Sequence, residues 1–240
     1  MNLSNNKILI TGGASGIGLG LTERFFRENN TVIICGRNET ALTEVSKKFP
    51  GVISKVCDVA NEAERIDLFN WVAANHPDLN VLVNNAGIQN WMTILDDDFY
   101  EKTNNEIAIN MIAPIHLTKL FLNLKSLKTI INVTSGFAFV PFSKVPVYCA
   151  TKAFMHSFTL SLRYQLKSAN FEVIEIIPPA LNTDLGGKGI HDQHPPVSEF
   201  IESIFKQLKE GKIELTFDTT IALTKAINET VAGYFNKMNP

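Results

Sequence analysis

An α/β fold, with helices on both faces of a doubly wound parallel sheet of about seven strands, is predicted by three features of this 240-residue chain. Short apolar runs alternate with helical patterns along its length. The cores of those runs (VIIC, VLV, IINV and VIEII) are β-branched and mostly lack polar alternation. The first run also empties into a glycine-rich turn, TGGASGIG. A strand with no polar face belongs between two layers of helix, which is the setting of a parallel sheet.

Taken in order, the first strand is expected at Lys7–Thr11, and the glycine turn leads from it into a helix near 16–29. Strand Thr31–Gly36 precedes a helix near 38–48, opened by Asn38 with Glu39. Strand Val52–Cys57 precedes a helix near 61–76, opened by Asn61 with Glu62 and Glu64. Strand Val81–Asn84 is followed by one long helix near 98–124, announced by the acidic cluster Asp96–Asp98. Amide and acidic side chains at these starts suit free N–H groups and the positive end of the helix dipole. Strand Thr129–Thr134 then leads to a helix near 148–168, strand Phe171–Pro178 to a helix near 197–210, and strand Ile213–Phe217 closes the series. The segment TTIALTKAINETVAGYFNKMN reads as a final amphipathic helix. Strict alternation of this kind puts ligand sites at the carboxyl ends of the strands. No repeat, low-complexity tract or linker divides the chain, so 1–240 is read as a single domain.

Composition narrows the class. Lys and Arg total 22 against 24 for Asp and Glu, a net charge of −2 that argues against a nucleic-acid partner. Hydrophobic residues make up 45% and charged residues 19%, enough for a sizeable buried core. The cysteines Cys35, Cys57 and Cys149 are too few and too scattered for a disulfide framework. The apolar run at Ile8–Ile10 is much shorter than the hydrophobic stretch of a signal peptide, and no segment approaches the roughly 20 apolar residues of a membrane span. The expected address is the cytoplasm, with no membrane partner.

At the first strand end, Gly12, Gly16 and Gly18 leave the backbone clear for a pyrophosphate to approach the N–H groups of a helix start. The spacing is G-x-x-x-G-x-G, and taken alone it also fits a tight strand-to-helix turn. The fourth strand end, VNNAG, offers Asn85, Ala86 and Gly87 to the same crevice.

T-G-x-x-x-G-x-G at 11–18, N-N-A-G at 84–87, Ser135, and Y-x-x-x-K at 148–152 occur in order over nearly the whole chain. Together they resemble the short-chain dehydrogenase/reductase family, whose fold is the Rossmann type. A narrower resemblance, on VIICGR, LNVLVNNAGIQ and PVYCATKAFMHSF, is to the oxidoreductases associated with lipoteichoic-acid D-alanylation operons, and it fixes no substrate. The resemblance implies hydride transfer between a nicotinamide coenzyme and a carbonyl or alcohol. It gives Ser15, Gly16, Ile17 and Gly18 to the phosphates, Asp58 and Val59 to the adenine, and Pro178 and Thr183 to the nicotinamide. The family usually has Pro-Gly where this chain has Pro178-Pro179, which stiffens that contact. Homodimers or homotetramers through the helices near 98–124 and 148–168 are implied too.

Residues four apart on a helix share a face, so the Lys152 ammonium is expected near the Tyr148 hydroxyl, lowering the phenol pKa from about 10. Such a phenol exchanges a proton with the substrate oxygen. Lys152 is also expected on the nicotinamide ribose, Ser135 on the substrate oxygen, and Asn110 at a local kink supporting a proton relay, all by resemblance. Alone, Ser135 also reads as a turn residue and Asn110 as a satisfied core amide.

For the coenzyme, the family's NAD-preferring members carry an acidic residue where this chain has Gly36, and Arg37 follows to pair a 2′-phosphate. Glu39 and Ser15 count against, and Glu39 is read as a first-turn residue complementing the dipole. NADP(H) is favoured over NAD(H). Over the substrate, Gly186, Gly187 and Gly189 suggest a lid near 180–200. Phe137, Phe139, Val140, Phe142 and Val145 offer an apolar lining, or equally core or a subunit contact. His191 and His194 lack a third ligand, so no metal is expected; His156 is read as a packing residue and Cys149 as an inert buried thiol. An NADP(H)-dependent carbonyl/alcohol oxidoreductase is thus expected. Its rivals are an NADP(H)-binding redox sensor without turnover and an accessory protein of cell-envelope biosynthesis.

Overall fold

β-Branched runs without a polar side must be covered on both faces, and the computed structural model, which describes residues 1–226 and 228–238, covers them so. Its strands are β1 (Lys7–Thr11), β2 (Thr31–Gly36), β3 (Ile53–Val56), β4 (Val81–Asn84), β5 (Thr129–Val133), β6 (Glu172–Ile177) and β7 (Glu214–Thr216). They form one 7-stranded sheet in the order β3-β2-β1-β4-β5-β6-β7, and every pairing is parallel. The chain moves outward from β1 to β3 and then crosses to β4 on the other side. A crevice therefore opens at the carboxyl ends of β1 and β4, where the strand order reverses.

The helices are α1 (Gly16–Arg27), α2 (Glu39–Lys48), α3 (Glu62–Asn75), α4 (Phe99–Ile107), α5 (Ala113–Phe121), α6 (Pro146–Leu166), α7 (Val197–Lys209), α8 (Thr220–Leu223) and α9 (Asn228–Met238). Alternate side chains of each strand feed opposite cores. Ile8, Ile10, Val32 and Ile34 pack with Phe25 of α1 and Phe205 of α7, whose rings meet edge to face at 4.8 Å. Leu9, Ile33, Leu82 and Ile130 pack on the other face with Leu68 of α3 and Phe121 of α5. As the helix-start residues imply, Asn38 accepts the Ala41 N–H (3.0 Å) and Asn61 accepts those of Ala63 and Glu64 (2.9 and 3.4 Å).

Three expectations need correction. Asp98 precedes α4 but its side chain caps nothing; it pairs with Lys102 at 2.8 Å, while Asp96 accepts the Thr93 N–H and hydroxyl. The single helix near 98–124 is broken by a π turn at Ala108–Ile112, where the Ala113 N–H reaches back five residues to the Ala108 carbonyl. Pro114 has no N–H with which to restore the four-residue bond to Asn110. Lastly, the C-terminal segment holds two helices, α8 and α9, and its amphipathic face falls partly on residues outside the described ones.

A polar ladder crosses the second core at the ends of β4 and β5. Asn84 donates to the Asn132 side-chain carbonyl (2.9 Å) and to the Thr118 hydroxyl (3.1 Å), and Asn132 donates to the Thr159 hydroxyl (2.9 Å). Asn84 and Asn132 are register partners, and both are buried. Around β1, α1 and α7 the first core is mostly hydrocarbon and correspondingly sensitive to lost volume. Phe205→Ala, at a fully buried ring, is expected to cost about 3–5 kcal/mol, read as a lower urea midpoint at unchanged m-value.

Candidate active site

The crevice at the strand ends is a cavity of about 920 Å³. Thr11, the last residue of β1, ties its floor together. Its hydroxyl accepts the N–H groups of Asn85 and Ala86 (3.0 Å each) and donates to the Val83 carbonyl (3.3 Å). Asn85 returns a bond from its side-chain amide to the Thr11 carbonyl (2.8 Å). Beside this clamp, Gly12 lies at φ +66°, and a Cβ there would sit 3.1 Å from the Ala86 Cα. A Cβ on Gly18 would come within 2.1 Å of the Gly12 carbonyl oxygen, so only glycine lets α1 start this close to the loop. Ser15 precedes α1 without capping it, and the first turn carries no acidic residue. The amides of Gly16, Ile17 and Gly18, at the cavity wall, are thus left to an anion. These residues fit the pyrophosphate of a dinucleotide.

Every residue assigned to the coenzyme from sequence lines this one cavity, Gly87, Pro178 and Thr183 included. At the β2 and β3 ends the lining includes Arg37, Asp58 and Val59. Arg37 is exposed and makes no ion pair with any described residue. Glu39 lies in the first turn of α2 and is not among the lining residues. Asp58 accepts the Ala60 N–H at 2.9 Å.

Tyr148 and Lys152 reach the cavity from the first turns of α6, only 6% and 5% exposed. The Lys152 ammonium donates to the Val133 carbonyl at 2.9 Å and lies 5.5 Å from the centre of the Tyr148 ring. The expected acidification of the phenol is absent here. Burial raises the Tyr148 pKa, the facing Ser135 hydroxyl pulls it back only in part, and Cys149 and Glu106 push it further up. Burial also pulls Lys152 down to about 8. Desolvation of both groups outweighs their mutual attraction.

Ser135 and Asn110 are buried beside the cavity and are not among its lining residues. The Ser135 hydroxyl accepts the Phe137 N–H (3.1 Å), opening a 3₁₀ turn at Gly136–Ala138, and it also faces Tyr148. Asn110 sits in the π turn. Its side chain accepts the Ile88 N–H, donates to the Ile88 carbonyl (both 2.9 Å), and donates to the Thr151 hydroxyl (3.2 Å). It is both a satisfied core amide and the residue that holds the loop after β4.

On the other side of Tyr148, Phe137 and Phe142 pack with Val145, Cys149 and Leu185. Of the five apolar residues expected to line a substrate site, Phe139 turns instead to the His156 ring (4.5 Å) and Val140 is fully buried. The glycines of the 182–196 loop all have positive φ, and a Cβ on Gly186 would meet the Trp91 indole nitrogen at 3.1 Å. The loop's ends are latched by the Asn182 N–H on the Pro195 carbonyl (2.9 Å). Cys149 is buried as expected, its thiol pushed up to about 11 by desolvation.

Two features escaped the sequence. His156 is more than a packing residue: its Nδ1 lies 3.0 Å from both oxygens of Glu175, a fully buried carboxylate that also accepts the Thr134 hydroxyl (2.7 Å). The other is Glu106, fully buried one turn before Asn110, which accepts the N–H and side-chain amide of Asn90. An acidic residue four before Asn110 in NNEIAIN is the signal for it, since that spacing shares a helix face.

A profile described as short chain dehydrogenase matches residues 6–194. The chain belongs to that family. The narrower likeness is met by the uncharacterized oxidoreductase DltE of Bacillus subtilis (strain 168), 42% identical across 100% of this chain and 98% of that one. The NADP-dependent 3-hydroxy acid dehydrogenase YdfG of Escherichia coli (strain K12) is 29% identical over 90% of this chain and 83% of its own length. Among solved structures, a short chain dehydrogenase from Burkholderia cenocepacia J2315 in complex with NADP shares the fold at TM-score 0.85 and 22% identity, with 99% of each chain covered. The protein is therefore an oxidoreductase of the short-chain type.

The pairing with Glu175 raises the His156 pKa. The charged ring therefore adds stability that is fully present below the unfolded value of about 6.5 and is lost as pH rises through the higher folded value. His156→Gln is expected to lower Tm by a few degrees below pH 6.5, with the gap to the wild-type chain closing toward alkaline pH in thermal scans.

Proposed function

We propose that this protein is an NADP(H)-dependent oxidoreductase interconverting a carbonyl and an alcohol, with Tyr148 giving and taking the proton at the substrate oxygen. One observation carries the reading: Tyr148, Lys152, the uncapped start of α1 and the unpaired Arg37 all open onto one cavity. When bound, the coenzyme's nicotinamide supplies or accepts the hydride. The α1 amides and glycine loop hold its pyrophosphate, Asp58 and Val59 its adenine, and Pro178 and Thr183 its nicotinamide end. Lys152, which lines the same cavity, would hold the ribose beside it. Arg37 pairs the 2′-phosphate, for which Glu39, in the first turn of α2 and outside the cavity lining, offers no competition. The NADP named in the E. coli relative and in the Burkholderia structure supports the same choice.

Because burial keeps Tyr148 a phenol at neutral pH, it is set to donate as the hydride arrives at the carbonyl carbon. The Lys152 ammonium, beside the ring, stabilises the tyrosinate left behind, and Ser135 holds the oxygen that receives the proton. Residues 1–240 act as a single domain with the segment near 180–200 as its lid. Ile112, Phe154, Leu160 and Tyr164, apolar or aromatic and exposed on the π turn and α6, suit the self-contact of a homodimer or homotetramer. Among the described residues no helix is long and apolar enough to cross a membrane, which accords with work in the cytoplasm.

Two measurements test this. Following NADPH oxidation over a panel of aldehydes and ketones, Tyr148→Phe should lose at least about 100-fold in kcat while NADPH affinity changes little. Equal turnover in the variant would overturn the role of Tyr148, and tight NADPH binding with no turnover in either protein would favour the sensor. Arg37→Ala should raise KM for NADPH about tenfold and leave NADH nearly unaffected; a wild-type preference for NADH would overturn the coenzyme assignment.

A further inference from the structure

Asn110 and Glu106 lie one turn apart on the same helical face and grip the same loop. Asn110 takes both backbone groups of Ile88, and Glu106 takes the N–H of Asn90 and its side-chain amide at 3.1 Å. Between those two anchors, Ile88, Gln89 and Asn90 form the cavity wall next to Tyr148. Glu106 spends only one carboxylate oxygen on the grip. Its Oε2 is buried and meets no donor among the described residues, and the Thr103 hydroxyl three residues earlier is likewise without a partner. A buried carboxylate normally collects donors for both oxygens, so this one is built to carry a proton part of the time.

We propose that Glu106 is a positioning residue for the reaction, which fixes the 88–90 wall through Asn90 and whose charge modulates how readily Tyr148 gives up its proton. The inference rests on the carbonyl-reducing role proposed above. Donation leaves a tyrosinate, and an anionic Glu106 nearby opposes that second negative charge, while a neutral Glu106 does not. The groups facing Glu106 leave the coupling uncancelled. From α6 these are Tyr148, Cys149, a neutral thiol at any moderate pH, and beyond the Tyr148 ring the Lys152 ammonium, which is bound to the Val133 carbonyl and offsets part of the repulsion without facing Glu106 directly. From the loop after β4 there are only the amides of Asn90. On α4 itself, Lys102 is engaged with Asp98, and the π turn contributes the neutral Asn110. Burial raises the Glu106 pKa to about 7, with the Asn90 bonds pulling the other way, so the switch between the two states falls near neutrality.

Glu106→Gln keeps an acceptor for Asn90 and removes the titration. In the wild-type protein, kcat/KM for carbonyl reduction should fall about three- to tenfold as pH rises through 7. In E106Q the step near pH 7 should vanish, leaving only the fall through about 8 that belongs to Lys152, with activity between pH 7 and 8 above wild type and NADPH affinity unchanged by fluorescence titration. Asn90→Ala, which keeps the carboxyl and removes a donor to it, should move the step to higher pH. Infrared spectra of the coenzyme-free protein give a readout independent of turnover: a protonated-carboxyl band fading through pH 7, absent from E106Q. A step near pH 7 of equal size in wild type and E106Q, a uniform loss of activity in E106Q at every pH, or the same band in both proteins would overturn the proposal. If the wild-type protein binds NADPH yet reduces no carbonyl, the functional reading itself falls and takes this role with it. That outcome is recognisable because it shows before any variant is compared.

Discussion

One hydrogen bond organises the α6 side of the crevice: the Lys152 ammonium donating to the Val133 carbonyl. An ammonium this deeply buried is tolerated only if it is bound, and the end of β5 offers the acceptor. That contact sets how far α6 slides along the sheet, and so where Tyr148 enters the crevice. Thr151, between the two, accepts from Asn110 and so couples α6 to the π turn as well. Helix, strand end and loop are thereby cross-braced around a single phenol.

The two sides of the crevice are made differently. The side at β1, β2 and α1 is a matter of backbone: glycines that admit close approach, a clamp between Thr11 and Asn85, and amides left open at a helix start. The side at α4 and α6 is a matter of side chains withdrawn from water, where desolvation rather than pairing sets the acid–base behaviour. Tyr148, Lys152, Glu106 and Cys149 all shift in the direction that favours their neutral forms. Backbone geometry of the first kind is readily shared across a family, whereas the balance of buried charges on the second side depends on individual residues such as Glu106.

The same distinction decides what could be read without coordinates. Each strand was legible because a run such as VIIC or IINV has only one way to be covered, and the strand ends then located the crevice. The glycine turn and NNAG were legible because they answer to steric limits that act over a few residues. A kink at Asn110 was expected by resemblance, but its form as a π turn was not legible, because it depends on Pro114 denying a bond to Asn110 within an otherwise helical pattern. The acid–base state of Tyr148 was read with the wrong sign, because spacing shows that Lys152 is a neighbour but not that both groups are dehydrated. The partnership of His156 with Glu175 joins α6 to β6 across the core, and no local pattern announces such a pair.

The polar ladder of Asn84, Thr118, Asn132 and Thr159 adds a demand that hydrocarbon alone would not make. Apolar strands of similar composition can mispair with little loss of burial. Slipping β5 by one residue against β4 would rotate Asn132 to the opposite face and leave amides stranded in oil, each without a mate. The ladder thus serves as a proofreading device during assembly, rejecting misaligned sheets that greasy contacts would accept.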